Sequence, residues 1–262
     1  MENYSILLDI MKSKGAVAVA FSGGVDSSLA ALAAKDALGD RSLAVIVNSA
    51  FLPSNDMESA RTTAREIGIR LLEIEMYLMD RREITANPRN RCGLCKGIIM
   101  EEIIKKAEEE GFGVVADGTL IEDEGDYRPG IETSNRLGIW HPLMEARISK
   151  YEARRILKSR SISIHDRPST TCLATRVPYG DSITKEKLDL IDRIEQRISS
   201  FGFKEVRLRL FTATTGEELG IIEVEDPVRL SEDWSMIREK LPPMRFSIDP
   251  LGYRQGSMNK IA

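Results

Sequence analysis

The feature that most constrains the fold is a short run rich in glycine and serine that directly follows an apolar stretch. The apolar residues are Ala16-Val17-Ala18-Val19-Ala20-Phe21, and the run that follows is Ser22-Gly23-Gly24-Val25-Asp26-Ser27-Ser28. This order predicts a buried strand, a tight turn and then a helix. Glycines let the backbone approach a ligand closely, and the N-terminus of a helix attracts anions. The run therefore predicts a phosphate-binding loop.

The polar side chains of this run suit a phosphate and its metal ion. Ser22, Ser27 and Ser28 supply hydroxyl donors, and the carboxylate of Asp26 could help to hold Mg²⁺. The lysine of the Walker loop and the three spaced glycines of the Rossmann loop are both absent from the run. The run is therefore neither of the commoner nucleotide-binding loops.

Length and composition limit the class of protein. The chain has 262 residues, of which 42% are hydrophobic and 30% are charged, which predicts a globule with one larger and one smaller domain. No apolar run approaches the roughly 20 residues of a membrane span, and the first residues do not read as a signal peptide. We therefore expect a cytoplasmic protein without a membrane partner. The net charge of −4 disfavours a nucleic-acid partner, since such proteins usually carry a basic face.

The order of apolar runs predicts the fold class. Short strands alternate with helices as far as about residue 165, which is typical of a doubly wound parallel α/β sheet. A long amphipathic helix and further strands follow, which predicts a smaller α+β domain. We therefore expect domains at residues 1–165 and 166–262, the second one for substrate binding and oligomerisation. The predicted strands are residues 16–21, 43–48, 71–74, 114–117, 203–211, 219–224 and 245–248, and the predicted helices are residues 4–14, 27–38, 56–67, 96–110, 184–201 and 232–241.

Polar residues also follow two other predicted strands. Asn48 ends the second strand and Asp117-Gly118-Thr119 ends the fourth, so both lie at the edge of the sheet where ligands bind. Beyond them, Glu124 could join Asp26 at Mg²⁺, and Arg128 could contact a substrate anion. A charged surface loop would show the same pattern, so this interpretation depends on the phosphate loop nearby.

Three cysteines, Cys92, Cys95 and Cys172, stand in segments that read as loops. Their odd number argues against a disulfide framework. The C-x-x-C pair of Cys92 and Cys95 is compatible with a redox pair, half of a zinc site or iron–sulfur ligands. Zinc requires a fourth ligand, for which only His141 and His165 remain. Three thiolates could instead hold a [4Fe–4S] cluster and leave one iron open.

The segment around Cys172 is bounded by proline and glycine and contains Thr175 and Arg176. A neighbouring arginine favours the thiolate form of a cysteine. Arg207 and Arg209 lie two residues apart on a predicted strand, so their side chains share one face. They could bind a phosphate, although ordinary exposed strand arginines are an equally good interpretation.

Taken together, these motifs resemble a known family. The run from Ser22 to Ser28 resembles the SGGxDS loop of the PP-loop ATP pyrophosphatase superfamily. With Arg91-Cys92-x-x-Cys95-Lys96, Asp117-Gly118-Thr119, Asp126-Tyr127-Arg128-Pro129-Gly130 and the segment PSxxCLATRxPxG, the chain resembles the LarE-type sulfur transferases from about residue 16 to residue 257. The resemblance implies that MgATP adenylates the carboxylates of pyridinium-3,5-biscarboxylic acid mononucleotide, a small-molecule substrate. Sulfur then replaces AMP, which gives the thiocarboxylates of the nickel-pincer nucleotide cofactor.

The resemblance also implies a sulfur source. Some members of the family sacrifice the sulfur of the cysteine that matches Cys172, and others hold a [4Fe–4S] cluster on three cysteines. This chain is similar to the second group, which implies that Cys92, Cys95 and Cys172 bind the cluster and that sulfide or another sulfur donor supplies it. A homo-oligomer is implied as well. The strands around Arg207 and Glu223 depart from the family pattern. Substrate roles in these strands therefore do not follow from matching motif residues.

The site hypothesis therefore has four groups of residues besides the cluster ligands. Catalysis is assigned to Cys172, Asp26 and Arg176, and Mg²⁺ to Asp26 and Glu124. The residues assigned to ATP are Ser22, Gly23, Gly24, Val25, Asp26, Ser27, Ser28, Asn48, Gly118 and Thr119. Those assigned to the substrate are Arg128, Thr175, Arg176, Arg207 and Arg209.

Other functions stay open from the sequence. A tRNA thiolation enzyme of the same superfamily is the first alternative, and the acidic balance of the chain argues against it. A PP-loop ligase that transfers ammonia is the second, but no glutaminase nucleophile is visible. A binding module without catalysis is the third, and it would be favoured if no candidate substrate led to pyrophosphate release from ATP.

Overall fold

A computed structural model describes residues 2–123 and 129–254 of the chain. Glu124 and Arg128, which the sequence assigns to Mg²⁺ and substrate, lie outside the described residues. No helix among the described residues is long and apolar enough to cross a lipid bilayer. The strands are β1 Val17–Ala20, β2 Ser42–Asn48, β3 Arg70–Glu75, β4 Val115–Ala116, β5 Val206–Thr212, β6 Glu218–Val224 and β7 Arg245–Ile248. The α-helices are α1 Glu2–Lys14, α2 Val25–Leu38, α3 Ser54–Ile67, α4 Arg82–Thr85, α5 Arg91–Glu109, α6 Pro129–Arg136, α7 Pro142–Glu145, α8 Lys150–Ser159, α9 Lys185–Ser199, α10 Pro227–Glu232 and α11 Trp234–Arg238.

The described residues form two compact units. The first comprises the described parts of Met1–Ser49, Ser54–Met76 and Asn90–Thr170, and the second comprises Ala50–Pro53, Tyr77–Arg89 and the described part of Thr171–Ala262. The domain boundary expected at residue 165 stays a prediction, because compact units are not the same as independently folding domains.

The first unit is built on a four-stranded parallel sheet with the strand order β3-β2-β1-β4. The chain runs from β1 to β2 and β3 on one side and then returns to β4 on the other side of β1. This reversal makes the gap between β1 and β4 the switch point of the sheet, where ligands of α/β proteins bind. The predicted doubly wound α/β class is confirmed.

Helix α5 covers one face of this sheet. Its buried residues Met100, Ile103 and Ala107 pack on Ala18 and Leu43 of the central strands. Helix α5 begins at Arg91, five residues before the predicted start, so the expectation that Cys92 and Cys95 lie in a loop is wrong. Burial of the apolar face explains why the helix extends through a segment that contains Gly93 and Gly97, although glycine disfavours a helix.

The second unit is a three-stranded sheet with the order β5-β6-β7, in which β5 and β6 are antiparallel and β6 and β7 are parallel. Helix α9 buries Leu188, Ile191 and Ile198, and its apolar residues recur at the helical period. The helix predicted at residues 232–241 is wrong in extent, because two short helices, α10 and α11, meet at Asp233. The predicted smaller C-terminal sheet is confirmed.

Candidate active site

The loop after β1 is ordered by its own hydrogen bonds. The backbone N–H of Ser22 donates to Ser27 Oγ (3.1 Å), and Ser27 Oγ donates to the carbonyl oxygen of Gly24 (3.2 Å). Gly23 has a φ of +69°, and a Cβ there would lie 2.7 Å from the Cβ of Ala60 in α3. Only glycine fits this turn without strain. The loop therefore holds its shape before any ligand binds.

The segment after β4 packs against the start of α2. A Cβ on Gly118 would lie 2.5 Å from the backbone nitrogen of Ser27 and 2.6 Å from the carbonyl carbon of Asp26. A side chain at this position would push the two backbones apart. Gly118 therefore lets the segment after β4 approach the N-terminus of α2, where unpaired backbone N–H groups attract anions.

A cavity of about 310 Å³ lies at the switch point of the sheet. The loop after β1, the segment after β4 and the helices α5 and α6 form its walls. It is lined by Ala20, Ser22, Asp26, Ser27, Lys96, Met100, Asp117, Gly118, Thr119, Gly130 and Ile131.

The carboxylate of Asp26 is bound by a lysine that the sequence analysis did not single out. Lys150 Nζ donates to both carboxylate oxygens of Asp26, at 2.6 Å each. Lys150 is the first residue of α8, and a capping box between Ser149 and Glu152 fixes the start of that helix. In the sequence, Lys150 belongs to a cluster of basic residues that could line a site for a phosphorylated small molecule, and the cap pattern Ser149-x-x-Glu152 places it at a helix start. Neither signal points to Asp26.

A second carboxylate, that of Asp117, also lines the cavity. Asp117 Oδ1 accepts hydrogen bonds from the backbone N–H of Thr119 (3.0 Å) and from His141 Nδ1 (2.7 Å), and Lys96 Nζ lies 3.5 Å from Oδ2. His141 Nε2 lies 2.9 Å from Asn135 Oδ1. Burial raises the pKa of Asp117, but the hydrogen bond from His141 and the charge of Lys96 outweigh it and hold the pKa below its ordinary value. Asp117 is therefore a buried anion beside the cavity.

The structure brings five of the residues assigned to ATP to the cavity, namely Ser22, Asp26, Ser27, Gly118 and Thr119. The other residues of the phosphate loop shape it without lining the cavity. Ser28 is fully buried, and its Oγ has no hydrogen-bond partner among the described residues. Asn48 also lies away from the cavity lining, and its Nδ2 donates to Glu75 Oε1 at 2.6 Å.

The residues around the cavity suit a Mg²⁺-bound polyphosphate. Two carboxylates, Asp26 and Asp117, line it together with Lys96, and Lys150 binds Asp26. Magnesium is usually held by one or two carboxylates and by the phosphates of the nucleotide. Lysines bind phosphate oxygens as point charges. The donor set therefore fits ATP with its metal ion.

The second unit contains Cys172 and the arginines assigned to the substrate. Arg176 is 1% exposed and donates to Glu195 through Nε and Nη2, at 2.9 Å each. Its remaining bonds, through Nη1, are also internal to the unit. The guanidinium is therefore already occupied, and the expected contact between Arg176 and the substrate is not supported by this arrangement.

Arg207 and Arg209 are buried on β5, and the interpretation as exposed strand arginines is wrong. Arg209 binds Glu223 Oε2 (2.8 Å) and the carbonyl oxygen of Thr175 (3.1 Å). The guanidinium of Arg207 lies 5.0 Å from the centre of the Tyr253 ring. Burial and then the charge of Arg176 lower the pKa of Arg207. An anion bound at Arg207 would relieve this unfavourable environment.

The two thiols of the C-x-x-C pair lie in the first turns of α5. Cys92 is exposed and Cys95 is half-buried, and residues three apart lie on the same side of a helix. Buried Arg91 donates a hydrogen bond through Nη2 to Cys92 Sγ at 3.4 Å. Among residues 2–123 and 129–254, no group of three or more histidine, cysteine or acidic side chains is placed to hold a metal ion.

The fold and the cavity define a class of protein. A glycine- and serine-rich loop joins β1 to α2 at the switch point of a parallel sheet, next to carboxylates and lysines. This arrangement is that of the PP-loop ATP pyrophosphatases.

Comparison with known proteins agrees with this class and specifies the family. Residues 5–89 match the NAD synthase family. The uncharacterized protein slr1717 of Synechocystis is 33% identical over 245 residues, which are 93% of this chain and 91% of that protein. The pyridinium-3,5-bisthiocarboxylic acid mononucleotide synthase of Lactiplantibacillus plantarum is 27% identical over 254 residues, which are 97% of this chain and 92% of the synthase. One subunit of the glutamine-hydrolysing GMP synthase of Methanothermobacter thermautotrophicus is 26% identical over 213 residues, 75% of this chain and 68% of that polypeptide. The chain belongs to the LarE-type family of ATP-dependent sulfur transferases.

Proposed function

We propose that this chain adenylates the carboxylates of pyridinium-3,5-biscarboxylic acid mononucleotide and replaces the AMP with sulfur. The observation that carries the proposal is the cavity at the switch point, which is lined by Ser22, Asp26 and Ser27 of the phosphate loop together with Lys96. The similarity to the Lactiplantibacillus synthase over 97% of the chain supports the choice of substrate.

In the first step, a carboxylate oxygen of the substrate attacks the α-phosphorus of ATP, and pyrophosphate leaves. Ser22 and Ser27 would donate hydrogen bonds to the departing pyrophosphate, together with the backbone N–H groups at the start of α2. Asp26 would hold the Mg²⁺, whose charge stabilises that leaving group. Lys150 would give up one of its two hydrogen bonds to Asp26 and donate to a phosphate oxygen instead. Such preorganised charges stabilise a transition state without reorganising when the reaction occurs.

In the second step, a sulfur nucleophile attacks the acyl carbon of the adenylate and AMP leaves. A carboxylate is a poor electrophile, and adenylation converts one of its oxygens into part of a good leaving group. If hydrosulfide is the nucleophile, the products are the thiocarboxylate, AMP and a proton. We propose that Cys172 lies at this step and that Arg207 binds the phosphate of the mononucleotide, whereas the guanidinium of Arg209 is already held by Glu223 and the carbonyl oxygen of Thr175.

For the sulfur source, we propose a [4Fe–4S] cluster on Cys92, Cys95 and Cys172. The support is the chemistry of the donor set, since thiolates are the usual ligands of such clusters. Anaerobic purification with iron and sulfide analysis tests this proposal. We expect both elements to be present and to be lost when Cys92 and Cys95 are changed to serine. A colourless, iron-free protein in which Cys172 becomes dehydroalanine after turnover would contradict the cluster.

The proposed reaction is tested by supplying MgATP, sulfide and the dicarboxylate mononucleotide to the full chain. We expect pyrophosphate release that depends on the mononucleotide, and a thiocarboxylate product in the mass spectrum. The variant Asp26→Asn should lose both. Two further arms replace sulfide with ammonium or replace the mononucleotide with tRNA. An amide product would indicate a ligase, as the similarity to the GMP synthase polypeptide suggests, and thiolated tRNA would indicate a tRNA-modifying enzyme.

A further inference from the structure

The arginine next to Cys172 has an unusual set of contacts. Nη1 of Arg176 donates to the carbonyl oxygens of Thr171 (2.8 Å) and Cys172 (3.0 Å) and to the hydroxyls of Thr171 (2.7 Å) and Thr175 (3.0 Å). Its other two nitrogens bind the two oxygens of Glu195. One guanidinium therefore binds the residue before Cys172, the carbonyl oxygen of Cys172 itself and the side chain of Thr175, three residues after it.

Glu195 links Arg176 and the loop that it binds to the rest of the second unit. It lies on α9 and is 9% exposed. Its Oε1 also accepts the backbone N–H of Leu208 on β5 at 2.8 Å. The carboxylate therefore fixes Arg176 relative to both the helix and the sheet.

Two more contacts hold the same loop. The carbonyl oxygen of Cys172 accepts from Thr175 Oγ1 at 2.8 Å, and the backbone N–H of Leu173 donates to the carbonyl oxygen of Phe51 at 2.8 Å. Leu173 and Ala174 are buried, whereas Cys172 itself is half-buried. The backbone is therefore fixed on both sides of a side chain that still reaches the surface.

We infer that Arg176 and Glu195 are positioning residues that hold the Cys172 sulfur in place for sulfur transfer and do not contact the substrate themselves. The inference rests on the proposed function for the meaning of that position. It assigns Glu195 a role that the sequence motifs do not show, and it replaces the expected substrate contact of Arg176.

Stability alone is a weak reason for this arrangement. A buried ion pair loses the hydration of two charges, and well-packed apolar residues of similar volume often replace such a pair without loss of stability. Apart from its two bonds to Glu195, the hydrogen bonds of Arg176 go to three residues of one loop, Thr171, Cys172 and Thr175. A planar guanidinium can make such a set of bonds, and a lysine cannot.

We call the pair of Arg176 and Glu195 the clamp. The test is the double variant Arg176→Met/Glu195→Leu in the full chain, because it removes the clamp without leaving one buried charge unpaired. Three rates are measured: ATP–pyrophosphate exchange, single-turnover sulfur transfer and, in protein freed of iron with a chelator, the alkylation of Cys172 by iodoacetamide at one fixed pH. We expect exchange to stay within about twofold. Sulfur transfer should fall at least about tenfold, because misplacing a reacting group by about 1 Å can cost about 100-fold. The alkylation rate of Cys172 should change several-fold, whereas that of Cys92 should not.

Arg238→Met is the matched control. Arg238 also ties a loop of the second unit through carbonyl oxygens, those of Leu241, Pro242 and Met244. It should leave sulfur transfer and Cys172 alkylation unchanged, which separates positioning from a general loss of rigidity. Arg176→Lys keeps the positive charge but loses the planar set of N–H donors. We therefore expect its rate of sulfur transfer to stay close to that of the double variant.

The outcomes distinguish this inference from the proposed function. A folded double variant with wild-type sulfur transfer and wild-type Cys172 alkylation would overturn the inference. If the double variant does not fold, Thr171→Val decides instead, because Thr171 is exposed and its hydroxyl accepts one of the Arg176 bonds. The alkylation rate of Cys172 in that variant should still change about twofold, which corresponds to the free energy of one weak hydrogen bond. Alkylation needs no substrate, so it tests the clamp even if the wild-type chain transfers no sulfur.

Discussion

At the scale of single residues, charge pairs organise the cavity of the first unit. Lys150 binds Asp26 across 124 positions of sequence, and Lys96 and His141 both approach Asp117. The phosphate loop could be identified from the sequence because its residues are consecutive. The lysine partner could not, because only the packing of α8 beside α2 brings Lys150 to Asp26.

Lys150→Met tests the role of this lysine. We expect the KM for MgATP to rise about 10- to 100-fold, since a hydrogen bond to a charged group contributes about 1.5–3 kcal/mol. The free energy of unfolding should change little, because the pair is partly exposed and such pairs contribute little to stability. Lys35→Met is the control, as Lys35 forms a comparable pair with Asp40 away from the cavity. An unchanged KM for MgATP in Lys150→Met would show that Lys150 does not bind ATP.

The lowered pKa of Asp117 predicts a dependence of stability on pH. A carboxyl whose pKa is lower in the folded state stabilises the fold above its ordinary pKa of about 3.8 and loses that contribution as the pH falls through the folded value. The wild-type chain should therefore be more stable than Asp117→Asn at neutral pH. The difference should shrink as the pH falls below the ordinary value. Urea unfolding of both proteins over a pH series measures it, and a difference that stays constant into strong acid would contradict this account.

At the scale of elements, the site depends on how closely the segment after β4 approaches α2. Gly118 permits that approach because a Cβ there would lie only 2.5 Å from the backbone nitrogen of Ser27 in α2. Gly113, just before β4, has open space around its Cβ position. The two glycines therefore form a matched pair for substitution.

Gly118→Ala should lower the stability by about 1–3 kcal/mol, the usual cost of inserting a methyl group into a packed interface. It should also weaken ATP binding, because the start of α2 would have to move. Gly113→Ala should change neither property by a measurable amount. Thermal unfolding and ATP titration of both variants check the pair, and equal behaviour of the two would show that the approach is not critical.

The limits of sequence reasoning are also clearest in single elements. The strands and helices of the first unit follow apolar periodicity, so β1, β2, α2 and α3 could be predicted to within two residues at each end. The start of α5 could not, because Asn90 gives no side-chain cap and two glycines interrupt the segment. The predicted helix at residues 232–241 does not contain the break between α10 and α11, although Asp226 and Pro227 mark the start of α10 in the sequence.

At the scale of the whole molecule, the residues proposed for adenylation and the thiol of Cys172 lie in different units. The phosphate loop and its cavity belong to the first unit, and Cys172 with its clamp belongs to the second. The sequence could identify both motifs, because each is a continuous segment. The partners Lys150 and Glu195 come from distant helices, so folding alone brings them to the motifs.

This division predicts that the two half-reactions can be separated. Cys172→Ala should keep the ATP–pyrophosphate exchange that depends on the mononucleotide and should lose formation of the thiocarboxylate. Exchange measured with labelled pyrophosphate, beside mass spectrometry of the product, checks both halves. Loss of exchange in Cys172→Ala would place the thiol in the adenylation step and would contradict the division.

The most direct test of the central claim follows an oxygen atom. The mononucleotide is prepared with isotopically heavy oxygen in its carboxylates and is incubated with the protein, MgATP and a sulfur source. Adenylation predicts that one heavy oxygen leaves in the phosphate of AMP and that sulfur takes its place in the product, with one pyrophosphate per AMP. Unlabelled AMP, or cleavage of ATP to ADP, would show that the carboxylate is not adenylated and would contradict the account.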